Sequence, residues 1–267
     1  MISKESLQII EASPGWRAHR VEIFDLPEGK MLVKGQRALR SPWPHRVLSS
    51  LAWLARVPYL RAVPVHGGAQ SQAIEIARLT ALRQAGVRVP QVHHVDKDYF
   101  VMAYLGSDDL AKILNQDKTT AFRQWLLAMD LLLDVHARGQ YLSQCFGRNI
   151  IVSEAGGGFI DFEDDPLEVM NLVEAQAHDW LIYLQSTLWT LGADERAVDD
   201  ALQAAFARES GPVRAVLLHA SFRLGWLRCL PTQRKPWGRD VVNLQATAAA
   251  LHRYYKKHQH SPRPVSS

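Results

Sequence analysis

The stretch HARGQYLSQCFGRNII, residues 136–151, and the short run IDFE, residues 160–163, decide how this sequence is interpreted. Asn149 comes just before one predicted strand, and Asp161 lies at the end of the next. An aspartate between two apolar neighbours is costly to bury unless it binds a metal ion or accepts hydrogen bonds. Magnesium prefers carboxylate and amide oxygens as ligands. The two residues therefore predict a magnesium site.

Two residues far upstream complete a candidate set for phosphoryl transfer. Lys34 ends a predicted strand and Glu75 lies near the start of a predicted helix. In phosphoryl transfer a lysine neutralises nucleotide phosphates and a helix glutamate holds that lysine, while Asn and Asp bind the bridging magnesium ions. Phosphoryl transfer calls for these residue types, which occur in the order Lys, Glu, Asn, Asp along the chain.

The first third of the chain is predicted to combine strands with helices. Helices are expected at 45–57 and 70–84, the first opened by prolines. The predicted strands are Leu7–Ile10, Arg20–Phe24, Met31–Lys34, Gln91–His94 and Tyr99–Ala103.

The remainder is predicted to be mainly helical, apart from a small hairpin of residues 150–152 and 159–162. The predicted helices are 108–114, 120–137, 173–191, 195–208, 213–227 and 241–257. The sequence therefore predicts an α+β fold with two lobes. A small antiparallel-sheet lobe covers 1–103, including an inserted helix at about 44–57. A connector at 104–107 leads to a larger helical lobe at 108–267, which ends in a basic tail.

Composition excludes several classes of protein. The 267 residues are 47% hydrophobic and 22% charged, which is typical of a globular chain with a sizeable core. Cys145 and Cys229 make neither a disulfide framework nor a zinc cluster. No apolar run approaches the roughly 20 residues of a membrane span, and the first residues hold no apolar signal core. We expect a cytoplasmic protein.

Basic residues are concentrated in two stretches. No acidic residue occurs from Gly29 to Ile74, and seven Lys and Arg follow Pro231 against Asp240 alone. Such stretches suit phosphate-rich partners, namely a nucleotide, nucleic acid or anionic lipid headgroups; a solvated basic surface is the alternative. No nucleic-acid-binding signature accompanies them, so nucleic acid is not the expected partner.

The run 136–151 together with 160–163 resembles the catalytic loop and the metal-binding loop of the protein-kinase-like superfamily. It is most similar to bacterial lipopolysaccharide-core (Kdo/heptose) kinases and RIO-type atypical kinases. Other stretches resemble further parts of that superfamily: Leu32–Lys34 the phosphate-lysine strand, Glu75–Pro90 the following helix and strand, Val101–Gly106 the adenine-binding hinge, and His178–Leu181 the helix whose Asp179 buttresses the catalytic loop.

The resemblance implies a bilobal kinase-like fold that binds ATP and Mg²⁺. Lys34 and Glu75 would hold the phosphates, and Asn149 and Asp161 the metal, with Asp161 also catalytic. Met102 and Tyr104 fall in the stretch that resembles the adenine-binding hinge. Glu163 is either a second metal ligand or part of an acidic surface with Asp164 and Asp165.

Two departures from the superfamily pattern keep alternatives open. Ser13–Trp16 offers one glycine where a glycine-rich phosphate loop is usual, and Gln144 stands where the catalytic aspartate is expected, with Leu142 replacing the histidine. A glutamine amide cannot accept a proton and can only orient a hydroxyl. A positioned base contributes about 10²- to 10⁴-fold, whereas phosphoryl transfer depends mostly on positioning and charge neutralisation.

Three interpretations follow from the replacement at Gln144. The first is an active phosphotransferase with a degenerate catalytic loop, in which Gln144 orients the acceptor hydroxyl. The second is a catalytically inactive pseudokinase that serves as a binding or regulatory module. The third keeps an enzyme but changes the chemistry to nucleotidyl transfer.

The acceptor is expected to be a glycolipid or a small molecule. Asp161 and Asp179 are only 18 positions apart, which leaves little room for a peptide-docking segment. The apolar helix between Trp43 and Val57 also carries Trp53, Arg46 and Arg56. It suits either an interfacial helix on an anionic membrane or an element that packs between lobes. An anionic membrane surface is therefore a candidate partner, and a peripheral location at the inner membrane is expected.

Overall fold

The computed structural model describes residues 2–37, 61, 63–153 and 156–259. It has an α+β architecture, with a small four-stranded antiparallel sheet and a larger helical part, as the sequence predicts. Within the described ranges, no helix has both the length and the apolar character needed to cross a bilayer. The predicted helix at 45–57 and the end of the basic tail from 260 onward lie outside the described residues.

The N-terminal part is a sheet with the strand order β1-β2-β4-β3, every neighbouring pair antiparallel. Its strands are β1 (Val21–Leu26), β2 (Gly29–Gly35), β3 (Val92–Val95) and β4 (Tyr99–Ala103). The accompanying helices are α1 (Lys4–Ala12), α2 (Gly15–His19) and α3 (Gly68–Gln84). Four of the five strands predicted here are confirmed with small shifts of their ends.

The fifth predicted strand, Leu7–Ile10, is wrong, because these residues belong to helix α1. Ser3 caps this helix through its hydroxyl, which accepts the backbone N–H of Ser6 at 3.2 Å. The carboxylate of Glu28 accepts the Ser3 N–H at 2.7 Å and the Ser6 hydroxyl at 2.8 Å. A short apolar run cannot by itself distinguish strand from helix, and the N-cap serine decides in favour of the helix.

The register of the sheet directs Lys34 toward the helical part. Lys34 is paired with Phe100, and Leu32 with Met102. Cross-strand partners share a face of the sheet, and alternate residues along a strand share it as well. Phe100 and Met102 belong to the main hydrophobic core together with residues of α3 and the helical part. The opposite face packs in a separate cluster under α1 and α2: Met31, Val33, Tyr99, Val101, Ile10 and Trp16.

The helical part follows the chain in the order that the sequence predicts. Its longer helices are α4 (Leu110–Gln116), α5 (Ala121–Ala137), α6 (Leu172–Leu191), α7 (Glu195–Arg208), α8 (Gly211–Leu224) and α9 (Arg239–Gln259), and a four-residue helix, Arg234–Trp237, precedes α9. Its core is built around fully buried aromatic side chains: Trp125, Trp180, Tyr183 and Phe206. A hairpin of β5 (Ile150–Ser153) and β6 (Gly156–Phe159) lies between α5 and α6.

The predicted second strand of this hairpin, residues 159–162, is wrong in its extent. Strand β6 ends at Phe159, and Asp161 lies in the following loop with a φ of 69°. The Ile160 N–H donates to the Asn149 carbonyl at 2.9 Å, which keeps the start of this loop beside Asn149. Aspartate is among the few residues that tolerate the left-handed backbone region, and such strain concentrates at functional sites.

Candidate active site

Lys34 lies at the centre of three carboxylates. Its Nζ atom is 2.7 Å from Glu75 Oε1, 2.8 Å from Asp161 Oδ1 and 2.8 Å from Glu163 Oε1. Only 7% of the Lys34 side chain is exposed, so the ammonium group has exchanged water for these carboxylates. These four residues are called the Lys34 cluster below. The structure thus brings together three of the four residues of the predicted set, Lys34, Glu75 and Asp161.

Three separate elements supply the Lys34 cluster. Lys34 comes from β2 and Glu75 from the middle of α3, whereas the two other carboxylates come from the loop after β6. Helix α3 is fixed against the sheet partly by the Gln72 side chain, whose Nε2 donates to the Asp96 carbonyl at 2.7 Å. Buried Leu79 on the same helix joins the main core. The position of Glu75 is therefore fixed by contacts of Gln72, before it in the helix, and of Leu79, after it.

Two arginines complete the surroundings of Glu163. Arg37 Nη1 lies 2.7 Å from Glu163 Oε2, and Arg20 pairs with Glu163 Oε1. The Glu163 side chain is only 3% exposed, so its interpretation as part of an acidic surface is wrong. A buried carboxylate requires such paired cations. Arg37, which belongs to the basic stretch after Gly29, thus neutralises the buried charge of Glu163.

The charges of the Lys34 cluster shift one another's pKa values. Burial would raise the pKa of Glu163, but Lys34 and Arg20 outweigh burial and lower it to about 2. Burial raises the pKa of Glu75 to about 7 despite the lowering effect of Lys34. Burial would lower the pKa of Lys34, but its three carboxylate partners raise it. At neutral pH Lys34 and Glu163 are therefore charged, and Glu75 is the carboxylate that can retain a proton.

The close approach of three carboxylates does not itself indicate a metal site. Oxygens of Glu75, Asp161 and Glu163 lie within 4.8 Å of one another. The Lys34 ammonium already occupies the space between them and explains why they converge. We therefore do not assign Glu163 as a metal ligand.

Asn149 and Asp161, the predicted ligands, have the right chemistry for magnesium. Asn149 Nδ2 donates to the backbone carbonyl of Gln144 at 3.0 Å, which commits the nitrogen and leaves the side-chain oxygen available. Asp161 keeps 32% of its side chain exposed although it contacts Lys34. Amide and carboxylate oxygens are the ligand types that Mg²⁺ prefers.

Gln144 lies against a carboxylate that sequence reasoning grouped with an acidic surface. Its Nε2 donates to Asp164 Oδ2 at 2.6 Å. Asp164 is only partly exposed, and its other oxygen is shielded from water without a hydrogen-bond partner in the part of the chain that the structure describes. Burial raises the pKa of Asp164. Nothing in the doublet Asp164-Asp165 distinguishes these two residues in the sequence.

A cavity of about 770 Å³ opens beside these groups. Gln144, Asp161 and Asp164 line one side of it, and Leu224 and Asp240 line another. Four arginines also reach it: Arg20, Arg37, Arg61 and Arg148. The cavity is therefore a mixed polar and apolar space, rich in cations, in contact with the predicted catalytic residues.

The two predicted hinge residues occupy different places. Met102 is buried on the same face of the sheet as Lys34, opposite Leu32 on the neighbouring strand. Tyr104 follows β4 and donates its N–H to the Lys30 carbonyl at 3.0 Å, with the Lys30 Nζ 5.6 Å from its ring. Lys30 and Lys34 are four residues apart, or about 13 Å along a strand. Met102 thus lies nearer to Lys34 along the sheet than Tyr104 does.

Ser13–Trp16, where the sequence offers one glycine in place of a glycine-rich phosphate loop, packs against strand β1. Helix α2 starts at Gly15, and the segment is tied to β1 through the Glu22 carboxylate, which accepts the Ser13 hydroxyl at 2.8 Å and the Trp16 N–H at 2.8 Å. A Cβ atom on Gly15 would lie 2.5 Å from that carboxylate. A side chain at this position would therefore have to displace the Glu22 carboxylate.

A second buried ionic group holds the loop that carries Gln144. Asp179 Oδ2 accepts the Leu142 N–H at 2.7 Å and lies 3.4 Å from His136 Nε2. The other nitrogen of His136 lies 2.6 Å from Glu209, which also accepts the Trp180 indole N–H at 2.6 Å. His136, Asp179 and Glu209 are called the His136 network below. Asp179 thus makes the contact expected of a residue that buttresses this loop.

Comparison with known proteins adds no assignment to this geometry. No protein-family model matches the chain, and no curated protein is significantly similar to it in sequence.

Proposed function

We propose that this chain is an ATP- and Mg²⁺-dependent phosphotransferase with a bilobal kinase-like architecture. One lobe would be residues 1–103, joined through a hinge at 104–107 to a lobe formed by 108–267. The observation that carries the proposal is the Lys34 cluster, in which a lysine paired with a helix glutamate also contacts an aspartate beside a large cavity. Phosphoryl transfer depends on this kind of fixed positive charge beside metal-binding oxygens.

The residues have separate roles in this proposal. Bound Mg²⁺ would neutralise phosphate oxygens. Asn149 and Asp161 hold the metal through their side-chain oxygens, and Lys34, kept in place by Glu75, contacts phosphate. Met102 and Tyr104 border the nucleotide base along β4.

We propose a sugar or lipid-linked hydroxyl as the acceptor. The short separation between Asp161 and Asp179 supports it, because a peptide would need a docking segment that the chain does not supply there. The cavity of about 770 Å³ also supports it, since pockets for small ligands have volumes of about 300–1,000 Å³. A cytoplasmic enzyme at the face of the inner membrane would meet such acceptors.

Incubation with [γ-³²P]ATP, Mg²⁺ and glycolipids extracted from bacterial envelopes tests the function. We expect the label to enter the glycolipid fraction, with a phosphate adduct by mass spectrometry; an AMP adduct would indicate nucleotidyl transfer instead. Transfer that persists unchanged in Asp161→Ala would refute the assigned roles. Thermal shift with ATP, with and without Mg²⁺, tests the nucleotide site separately, because a ligand of the folded state raises the unfolding temperature.

A pseudokinase is the second candidate, favoured by the observation that an amide occupies the position of the expected base. In that case the protein would bind nucleotide as a regulatory module and transfer nothing. A Gln144→Asp variant that gains activity from an inert parent would support the pseudokinase. Robust turnover by the unaltered protein would exclude it.

A further inference from the structure

Two observations concern Gln144, which stands where the catalytic base is expected, and its partner Asp164. Gln144 donates its amide hydrogen to Asp164 Oδ2 at 2.6 Å, and both side chains line the cavity beside Asp161. The carboxylate of Asp164, three residues after Asp161, therefore lies next to Gln144, the residue at the position of the expected base. Only the amide nitrogen of Gln144 can face an ionised carboxylate, since that carboxylate offers acceptors alone.

The second observation is that Asp164 is incompletely satisfied. Its Oδ1 is shielded from water and, within the described ranges, has no hydrogen-bond partner. Several other buried side chains of the described residues share this property, among them Asp179, but Asp164 also lines the cavity, where a catalytic role is one explanation for it. By contrast, Asp165 Oδ1 accepts the Tyr141 hydroxyl at 2.7 Å and the Leu167 N–H at 3.0 Å.

We propose that Asp164 takes the proton of the acceptor hydroxyl and that Gln144 positions Asp164 for this step. The inference rests on the phosphotransferase function proposed above. As the acceptor oxygen bonds to the terminal phosphorus of the nucleoside triphosphate, its O–H bond breaks and the proton passes to the Asp164 carboxylate. The bond from that phosphorus to the bridging oxygen breaks, nucleoside diphosphate leaves, and Asp164 returns the proton to water.

The surroundings of Asp164 favour proton exchange. Burial raises its pKa from the ordinary value of 3.8, and the neighbouring charges of Glu163 and Asp161 act in the same direction. Arg37 and the hydrogen bond from Gln144 act in the opposite direction. A base works best when its pKa lies closer to the pH at which the enzyme operates.

Hydrolysis of [γ-³²P]ATP with Mg²⁺, using water as the minimal acceptor, tests the role of Asp164. We expect Asp164→Asn to lower the rate by about 10²-fold or more, with an unchanged thermal shift on MgATP. The acid limb of the pH–rate profile should disappear in this variant and persist in Gln144→Ala. Asp165→Asn is the matched control, because its Oδ1 can keep both hydrogen bonds, and it should stay within twofold of the unaltered protein.

The outcomes separate this inference from the proposed function. Asp164→Asn at a rate close to that of the unaltered protein, or with its acid limb intact, overturns the role of Asp164 and leaves the phosphotransferase standing. An unaltered protein that binds MgATP without any turnover overturns it in favour of the pseudokinase. Absence of MgATP binding overturns both, because no phosphoryl donor is then held.

An independent observation concerns residues 222–240, called the aromatic–basic segment. The three most exposed large hydrophobic side chains of the described residues all fall within it, namely Phe222 at 57%, Trp226 at 66% and Trp237 at 58%. The segment also contains five Lys and Arg, and its one acidic residue is Asp240 at the end. Exposed aromatic residues that occur together usually mark an interaction surface.

The cations of this segment differ from two cations further along α9 in whether they have an ion-pair partner. In α9, Arg253 pairs with Asp199 at 2.9 Å and Lys257 with Asp200 at 3.4 Å. Within the part of the chain that is described, no ion pair involves the following cations of the segment: Arg228, Arg234, Lys235 and Arg239. These four cations therefore have no counter-ion within the described ranges and belong to the same segment as the exposed tryptophans.

The segment also borders the cavity. Leu224, between Phe222 and Trp226, and Asp240, three residues after Trp237, both line the cavity that Gln144 and Asp164 line. Arg228 is fixed to α9, since its carbonyl accepts Gln245 Nε2 at 3.1 Å. The aromatic side chains thus lie on stretches of chain that flank one opening.

We infer that the aromatic–basic segment docks on an anionic lipid bilayer. Tryptophan is enriched where a protein meets the membrane–water interface, and Lys and Arg are attracted to anionic headgroups. The absence of acidic residues before Asp240 gives the charge complementarity that a bilayer of this kind requires.

Co-sedimentation with vesicles tests the docking surface. We expect binding to phosphatidylcholine vesicles with 30% phosphatidylglycerol, weakened by salt, and little binding to phosphatidylcholine alone. Replacing Arg228, Arg234 and Lys235 by Gln should weaken binding about fivefold for each cation removed. A Trp226→Ala/Trp237→Ala variant should weaken it at least about tenfold. Trp189→Ala and Arg123→Gln, exposed elsewhere, are the matched controls and should bind like the unaltered protein.

Several results would overturn the docking inference. These are equal affinity for neutral and anionic vesicles, retention of binding in the tryptophan variant, or tighter binding to a 30-nucleotide single-stranded DNA than to the anionic vesicles. All the substituted side chains are exposed, so circular dichroism should show that the variants remain folded.

Discussion

The Lys34 cluster and the His136 network are both buried ionic groups, but their surroundings differ. In the His136 network the side chains of His136 and Asp179 are 2% and 0% exposed, and the partners are buried groups of the helical part. In the Lys34 cluster, Asp161 keeps 32% of its side chain exposed and lines the cavity of about 770 Å³. Asp161 also adopts left-handed backbone geometry.

The difference shows that burial of charge is not by itself evidence of catalysis. Buried ion pairs occur in structural networks as well as in active sites, and they shift pKa values in both. What distinguishes the Lys34 cluster is that two of its carboxylates, Asp161 and Glu163, line a cavity that can hold a ligand. The His136 network instead fixes the backbone at Leu142.

The largest expected effect comes from the exposed carboxylate of the Lys34 cluster. Asp161→Asn should lower phosphate transfer by about 10³-fold, because in the proposed function this charge would hold the metal at the reacting phosphate. Its unfolding temperature should change little, since the side chain is partly solvated. The measurement is label transfer from [γ-³²P]ATP at saturating MgATP. Asp130→Asn, on the exposed face of α5, is the control and should be unaffected.

Substitutions in the His136 network should lower the stability of the protein, in contrast to Asp161→Asn. Asp179→Ala should lower the free energy of unfolding by about 3 kcal/mol, because His136 and the Leu142 N–H lose a buried partner. Asp179→Asn should cost less, since its amide oxygen can still accept the Leu142 N–H. Urea unfolding measures both. If Asp179→Ala left stability unchanged but impaired phosphate transfer, the structural role assigned to the His136 network would be wrong.

Acid should weaken the Lys34 cluster through Glu163. Its pKa in the folded protein is about 2 against an ordinary 4.5, so its contribution is complete above pH 4.5 and is lost as the pH falls toward 2. We expect Glu163→Gln to lower the free energy of unfolding by about 2 kcal/mol at neutral pH, a figure reduced for screening at partly exposed Arg20. The difference from the unaltered protein should vanish near pH 2.

The pKa of Glu75 is shifted in the opposite direction from that of Glu163, so the two residues can be compared within one protein. Its pKa in the folded protein is about 7, so its contribution to stability decreases as the pH rises from 4.5 to 7. Glu75→Gln should therefore flatten that part of the pH–stability curve. An identical pH dependence in Glu75→Gln and Glu163→Gln would contradict the assigned charges.

The smallest expected effect lies on the alkaline side. Burial would lower the pKa of His136, but Asp179 and Glu209 raise it above the ordinary 6.5. Its contribution to stability is therefore complete below pH 6.5 and is lost as the pH rises through the raised pKa. Unfolding free energies from pH 6 to 9 should converge for the unaltered protein and His136→Gln. A constant difference between them across this range would show that folding does not shift the pKa of His136.

The predicted set of Lys34, Glu75, Asn149 and Asp161 came from residue type and order in the sequence. Glu75 and Asp161 each contact Lys34, and Asn149 is held beside the start of the loop that carries Asp161. Most helix positions were also predictable, because their apolar residues repeat with helical spacing. The phosphotransferase activity, the cofactors and the acceptor stay proposals.

Other parts of the site could not be predicted because their partners are remote in the chain. Glu163 meets Arg20 and Arg37, which are 143 and 126 residues away. Gln144 and Asp164 are 20 residues apart and belong to different loops. Local errors had a different cause. The run Leu7–Ile10, with three apolar residues in four, fits a strand as well as a helix, and its capping serine lies outside the run.

The sequence by itself determined the α+β class, the succession of most helices and strands, and the order of the four candidate residues, because these depend on local periodicity and residue type. Only the tertiary structure decided that Glu163 is an internal counter-ion and that Asp164 lies beside Gln144. The physical reason is that a buried charge is tolerated only where opposite charges and donors converge around it. That convergence depends on how remote segments pack, which spacing along the chain does not encode.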